Sequence, residues 1–301
     1  MTSSAENTFR TLLTSLFDYA GMFPPASLSF EQALLESSSF TTALTRPWMV
    51  ASDIVLDAQY ARKLLGVNLG IYSLSHPLSV CLLATEEPES VIATASQLSH
   101  KEPHVTVTSL EIKAAPHDFA DMISFYADFA AQHSIQLALE PDLSGDDWET
   151  VLKAAIRNLS NASATAALKC RLTGPTGISA ERFAAAIVAT SDSGLPLKVT
   201  GGLHHPIVEP ARYPFAMGFL NVTAGVMLRR ALGDRVSHAR LVEILTNEAD
   251  DAFTFGPSLR FKDLQISHSD LKRAKKAPHF TIGSCSLREP DEDLSRLFGG
   301  S

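Results

Sequence analysis

The chain has 301 residues, of which 45% are hydrophobic, and its formal net charge at pH 7 is −8. This length fits one barrel-sized domain or two smaller ones. The acidic residues are scattered and the basic cluster at residues 272–276 is short, so no nucleic-acid partner is expected. Three widely spaced cysteines favour a reducing, cytoplasmic compartment. No apolar run approaches the roughly 18 residues of a transmembrane helix, so no membrane partner is expected.

Helix-like and strand-like segments alternate along most of the chain. After a leading helix over residues 1–15, strand candidates begin near residues 16, 48, 77, 105, 135, 166, 195 and 219. Such alternation indicates an α/β protein with a parallel sheet, and eight units in about 220 residues predict a single TIM-type (β/α)8 barrel. The alternative is an open doubly wound parallel sheet, although no GxGxxG fingerprint opens a helix early in the chain.

The predicted barrel spans residues 1–232, with residues 219–223 (FLNVT) as its eighth strand. Residues 233–301 exceed one closing helix. We expect them to form that helix and a C-terminal extension packed on the barrel.

Polar side chains recur at alternate positions of several strands. Because residues two apart share a face, we expect these side chains to line the barrel interior, where barrel enzymes keep their chemistry near the C-terminal strand ends. The residues concerned are Asp18, Glu111, Glu140, Lys169, Arg171, Lys198, Thr200 and Asn221.

Lys169 and Lys198 lie in successive predicted strands, and buried lysines are rare. A lysine attacks a carbonyl carbon only when neutral, and burial and neighbouring cations lower its pKa from ~10.4. The other lysine and Arg171 would supply that cation, while Glu111 or Glu140 would move protons. The opposing interpretation is two structural lysines, each salt-bridged to these glutamates.

The segments LKCRLTGPTG and PLKVTGG resemble the sixth- and seventh-strand lysine motifs of class I (Schiff-base) aldolases of the deoxyribose-phosphate aldolase type. NVTAGVMLRRAL is similar to the eighth-strand segment of that family, so the resemblance covers residues 166–232. It implies a carbon–carbon lyase that needs no cofactor and acts on a carbonyl substrate through a lysine imine. Lys169 would form the imine, and Lys198 would lower its pKa.

The chain departs from that family at two places. The family carries an aspartate on strand four, where this chain offers Glu111, and residues 203–206 differ from the family's sequence after the Gly-Gly pair. The segments LFDYAGMFPP, KVTGGLHHP and GSCSLREP also look like signatures of an uncharacterised bacterial protein family.

The residues after strand seven complete the candidate substrate site. Gly201 and Gly202 let the backbone approach a ligand closely, or serve a tight turn. His204 and His205 are predicted to contact substrate, together with Asp18, Arg171, Thr200 and Asn221.

Two alternative functions stay open. In the first, His204 or His205 joins Glu140 and Asp18 to bind a divalent metal in a hydrolase, lyase or isomerase. In the second, the chain is a non-catalytic barrel that binds a small acidic ligand. In each case the partner is a small molecule, and a homo-oligomer is considered because barrels of this kind often pair.

Overall fold

The structure is a computed structural model that describes residues 3–42, 52–72, 78–100, 105–211, 217–249, 251–276 and 279–298. The helices and strands within these residues are, in chain order, α1 (Ser3–Leu13), β1 (Phe17–Tyr19), α2 (Phe30–Thr42), β2 (Ile54–Leu56), α3 (Ala58–Gly66), β3 (Leu78–Leu83), α4 (Pro88–His100), β4 (Val105–Lys113), α5 (Phe119–His133), β5 (Gln136–Glu140), α6 (Trp148–Ser160), β6 (Ala166–Arg171), α7 (Ala180–Asp192), β7 (Leu197–Thr200), α8 (Phe219–Leu232), α9 (His238–Leu245), β8 (Phe253–Phe255), β9 (Ser258–Phe261), β10 (Leu264–Ser267), α10 (His268–Lys276), β11 (Phe280–Ser284) and α11 (Arg288–Phe298).

Eight of the described strands form a closed barrel in the order β1-β11-β7-β6-β5-β4-β3-β2. Every neighbouring pair in this ring is parallel. The predicted (β/α)8 barrel is therefore confirmed, and the open doubly wound sheet is wrong.

Local sequence signals account for several helix starts around the barrel. The side chains of Asp57, Ser179 and Ser237 each accept a hydrogen bond from a backbone N–H three residues later, at the starts of α3, α7 and α9. Such caps satisfy amide groups that have no partner within the helix.

The strand residues Leu168 and Val199 alternate with the inward polar residues and are fully buried.

The eighth strand of the barrel is not the segment predicted from the sequence. Residues 219–223 begin α8, and β11 instead fills the place between β7 and β1. The prediction failed because α8 is buried without a break from Phe219 to Arg229, so it lacks the polar stripe of an amphipathic helix. The Thr223 hydroxyl donates to the carbonyl of Phe219 at 2.6 Å, a bond between residues four apart in one helix.

The last part of the chain contributes to the barrel itself. The expected barrel boundary at residue 232 is corrected because β11 lies within residues 233–301. Before it, β8, β9 and β10 form a separate antiparallel sheet. In the part of the chain that the structure describes, no helix combines the length and apolar character needed to cross a bilayer.

Candidate active site

Charged side chains of alternating sign form a continuous network inside the barrel. They project from β1, β4, β5, β6 and β7, and they are Asp18, Glu111, Glu140, Lys169, Arg171 and Lys198. The barrel thus brings together six of the residues that alternation of polar and apolar positions assigned to its interior.

Each carboxylate in the network is shared or held closely. Glu140 lies 2.8 Å from Arg171 Nε and 2.6 Å from Lys169 Nζ. Glu111 bridges the two lysines, with its Oε2 2.5 Å from Lys169 Nζ and its Oε1 2.6 Å from Lys198 Nζ. Asp18 Oδ2 ends the network 2.7 Å from Lys198 Nζ.

The strand register places the two amines side by side. Lys169 and Lys198 are direct partners in the pairing of β6 with β7, so both side chains point to the same face of the sheet. Their side chains are only 7% and 5% exposed, whereas that of Arg171 is 36% exposed. Arg171 is therefore the cation of the network that reaches solvent.

The charges of the lysines differ from the sequence-based expectation. Burial lowers the pKa of Lys169, but the carboxylates of Glu111 and Glu140 outweigh it and raise the pKa above its usual value. The pKa of Lys198 is raised as well, because Asp18 and further neighbours that include Glu111 outweigh its burial. The sequence predicted that the two amines would suppress each other's protonation. This prediction considered the cations alone, and it is wrong because the carboxylates between the amines favour their charged form.

The carboxylates respond in the opposite sense. Burial raises the pKa of Glu111, but Lys169 and Lys198 overcome this effect and hold the pKa well below its usual range. The pKa of Glu140 is also lowered, because Lys169 and Arg171 outweigh burial. Both glutamates are therefore ionised at neutral pH, and the two lysines carry protons.

Two further residues belong to the site but were not identified from the sequence. Burial, followed by the charge of Asp18, raises the pKa of Asp53 to about 6. Ser109 donates a hydrogen bond to Asp53 Oδ2 at 3.3 Å. On β3, the sulfur of Cys81 lies 3.3 Å from Lys198 Nζ. The second predicted strand, which begins near residue 48, contained Asp53, but none of its positions was assigned to the interior. Cys81 lies in an apolar run, so its residue type gave no signal.

The residues at the end of β7 make a tight turn beside the network. The Thr200 hydroxyl lies 3.5 Å from the carbonyl of Gly283, on the neighbouring strand. Gly201 and Gly202 have φ of +93° and +75°, and a Cβ on either would come within 3 Å of Thr173. Backbone conformation and contact with the β6–α7 loop therefore account for both glycines, and their contact with a substrate stays a prediction.

His204 and His205 face helix α11 rather than the lysine network. His204 Nδ1 lies 2.8 Å from Glu289 Oε2, and His205 Nδ1 lies 2.6 Å from Asp293 Oδ2.

The alternative metal site is not assembled by the fold. Both histidines pair with α11, while the carboxylates of Glu140 and Asp18 bond to cations. Among the described residues, no group of three histidine, cysteine or acidic side chains has an arrangement suited to a metal ion. The predicted donor set is therefore wrong, because the histidines contact α11 while the two carboxylates contact the lysines.

Asn221 was expected to bind substrate on the eighth strand, and this expectation is wrong. It lies on α8, where its Nδ2 donates to the carbonyls of Ile244 and Asn247 at 2.8 and 2.9 Å. Asn221 therefore holds the end of α9 to α8.

A cavity of about 700 Å³ lies beside the site rather than at the amines. The loop between β6 and α7 and the end of α9 line it, with Glu181 and Glu248 as its charged residues. Its lining meets the site through Leu172 and Thr173, which directly follow Arg171.

Known structures show a similar fold. A deoxyribose phosphate aldolase from Aeropyrum pernix, described as a tetramer, superposes with a TM-score of 0.50 over 98% of this chain and 99% of its own, at 14% identity. A candidate deoxyribose-phosphate aldolase from Toxoplasma gondii covers 100% of this chain and 97% of its own, with a TM-score of 0.42 and 10% identity. The likeness to the Aeropyrum pernix structure supports the barrel fold.

Comparison of sequences does not assign the chain to a family. Neither a model of a protein family nor a curated protein matches the chain. The resemblance to an uncharacterised bacterial family therefore stays a prediction.

Proposed function

We propose that the chain is a carbon–carbon lyase that acts on a small carbonyl compound through an imine with Lys169. The observation that carries this proposal is the pair of neighbouring buried amines that share the carboxylate of Glu111. A purely structural barrel gains little from such a network, since burying ions is costly and well-packed apolar residues are often at least as stable.

Lys169 is the better nucleophile of the two lysines. Its partner Glu140 is also engaged by Arg171, which weakens the hold of that carboxylate on the ammonium group of Lys169. Lys169 therefore loses its proton more readily. Lys198, held by Asp18 and Glu111, keeps its positive charge beside the reacting nitrogen.

The proposed reaction balances protons within the network. A carbonyl substrate displaces Lys169 from a glutamate, which accepts the amine proton. The nitrogen forms a bond to the carbonyl carbon, the oxygen takes up that proton from the glutamate and a second one from the nitrogen, and water leaves to give a protonated imine. The adjacent carbon–carbon bond then breaks, its electron pair forms an enamine, and the departing fragment gives up a hydroxyl proton. Protonation of the enamine carbon and addition of water release the second product and free Lys169.

Asp53 suits the proton transfers of the later steps. With its pKa raised to about 6, it exists in both protonation states near neutrality, as an effective general acid–base requires. The partly exposed Arg171 would bind an acidic group of the substrate near the barrel mouth. No cofactor is required for these steps.

Trapping with borohydride tests the proposal. The protein is incubated with short aldehydes and 2-keto acids, reduced, and analysed by intact mass and peptide mapping. We expect one adduct at Lys169 that disappears in Lys169→Met, in which Glu111 and Glu140 each keep another cation. Lys153→Met, a change at an exposed lysine, is the control. An unchanged adduct in Lys169→Met would refute the proposal, and a ligand-dependent rise in Tm without adduct or product would favour the non-catalytic barrel.

The expected partner is a small molecule, and assembly into a homo-oligomer is part of the proposal. The tetrameric description of the Aeropyrum pernix aldolase supports it. A cytoplasmic location likewise stays a prediction from the sparse cysteines.

A further inference from the structure

A cysteine, a histidine and a glutamate are in successive contact beyond the C-terminal ends of β7 and β11, apart from the lysine network. Cys285 Sγ lies 3.6 Å from His204 Nε2, and His204 Nδ1 lies 2.8 Å from Glu289 Oε2. Cys285 follows β11, His204 follows β7 and Glu289 lies in the first turn of α11. Three separate segments thus converge on one imidazole ring.

The carboxylate determines how the imidazole can act. An ionised glutamate only accepts hydrogen bonds, so His204 Nδ1 carries the hydrogen that it donates to Glu289. In the neutral ring, Nε2 is then free to accept the proton of the Cys285 thiol. A nucleophile, a base within reach and a group that orients the base are the three parts of an activated nucleophile.

The backbone around the sulfur also favours negative charge there. The N–H groups of Ala26 and Cys285 itself are directed at Sγ and favour the thiolate. The thiol lies just before the N-terminus of α11, where partial positive charge also stabilises a thiolate.

Other groups around the sulfur oppose its ionisation. Burial, and then the charges of Glu289 and Glu36, raise the pKa of Cys285 above its usual value despite the backbone N–H groups. Tyr19 on β1 and Arg288 on α11 also lie in this electrostatic neighbourhood. The thiol is therefore protonated at rest and needs a base during reaction, which matches the position of His204.

We infer that Cys285, His204 and Glu289 form a nucleophilic thiol site that accepts an acyl group from a small activated ester or thioester. His204 Nε2 takes the thiol proton as Sγ bonds to the carbonyl carbon, and the bond to the leaving group breaks with its electron pair going to that group. His204 returns the proton to the leaving group. Water then attacks the acyl-cysteine with His204 as base, releasing an acid and the thiol.

The probe for this site is p-nitrophenyl acetate, with nitrophenolate release and peptide mass as readouts. In samples quenched with acid early in the reaction, we expect an acetyl group at Cys285 and none at the other two cysteines, Cys81 and Cys170, which are fully buried. Cys285→Ala, which removes the nucleophile, should abolish this label and leave borohydride trapping at Lys169 unchanged, which separates this site from the proposed lyase.

Variants of the other two groups test the arrangement. His204→Gln should slow acetylation about 10²-fold or more, and Glu289→Gln at least about tenfold. Glu292→Gln, at an exposed position of the same helix, should leave the rate within about twofold of the unaltered chain. Acetylation of Cys285 at the same rate in His204→Gln would overturn the inference.

A measurement on the unaltered chain covers the case in which a variant fails to fold. Acetylation of Cys285 is compared between the folded protein and the same protein unfolded in urea, at one pH. A folded-state rate above the unfolded-state rate supports activation by His204. A rate at or below the unfolded value overturns it.

Discussion

Lys169 and Lys198 hold opposite oxygens of a single carboxylate, that of Glu111, at 2.5 and 2.6 Å. This shared partner both separates the two ammonium groups and keeps them protonated. It makes Glu111 the residue on which the charge balance of the barrel interior depends.

Replacing Glu111 with glutamine should therefore destabilise the protein. Two buried cations would then be neighbours without an anion between them, which should lower the pKa of both lysines and cost about 3 kcal/mol in the free energy of unfolding. Urea denaturation at pH 7 measures this cost. Glu86→Gln, which breaks an exposed pair with Arg62, is the control and should have little effect. Equal stability of the two variants would contradict the prediction.

Asp53 should make stability depend on pH between about 4 and 6. Its pKa is raised from 3.8 to about 6, so the folded state binds this proton more tightly than the unfolded state. The resulting stabilisation is complete below pH 3.8 and is lost as the pH rises through 6. At pH 8, Asp53→Asn should therefore be more stable than the unaltered chain, by at most about 3 kcal/mol.

Denaturation at a series of pH values tests this expectation. The advantage of Asp53→Asn should shrink steadily below pH 6. Asp128→Asn, at an exposed position of α5, controls for the change in net charge. A constant difference across the whole range would contradict the assignment.

Asn221 should matter for stability rather than for substrate binding. Asn221→Ala removes two hydrogen bonds to carbonyls near the end of α9, one of them fully buried, and should cost about 1–3 kcal/mol. Asn158→Ala, whose amide bonds a carbonyl four residues earlier in α6, should cost less. Thermal unfolding compares the two variants, and imine trapping should be unchanged in both. Loss of imine trapping in a folded Asn221→Ala variant would contradict this prediction and indicate a role for Asn221 in substrate binding.

The pair of His205 with Asp293 should fasten α11 to the loop after β7. His205→Ala leaves the largely buried Asp293 without this partner, which should increase hydrogen exchange in the amides of α11. Exchange in α6, which is remote from this pair, is the internal reference. Glu292→Gln, at an exposed position of α11, should leave the exchange rates unchanged.

The sequence was most informative where strand alternation and residue chemistry coincided. Lys169, Arg171 and Lys198 were assigned to the interior by parity, and the fold places them there. The same reasoning failed for residues 219–223, because β-branched residues in a wholly buried helix carry no helical stripe. Strand alternation also missed β11. This strand has only five residues (FTIGS), includes a glycine and follows the segment that forms β8 to α10.

The charges of the site were harder to predict than its members. The sequence identified both lysines and both glutamates, but the sign of each pKa shift depends on distances that only the fold supplies. For His204 and His205, the partners lie more than 80 positions away on α11. No spacing within one segment could have indicated them.

The ring is closed by its first and last strands, β1 and β11. The barrel consequently cannot close until β11 has left the ribosome. Until then β1 and β7 each present an open edge with unpaired amide and carbonyl groups, to which another nascent chain can add. Premature termination before β11 should therefore produce aggregates rather than a smaller barrel.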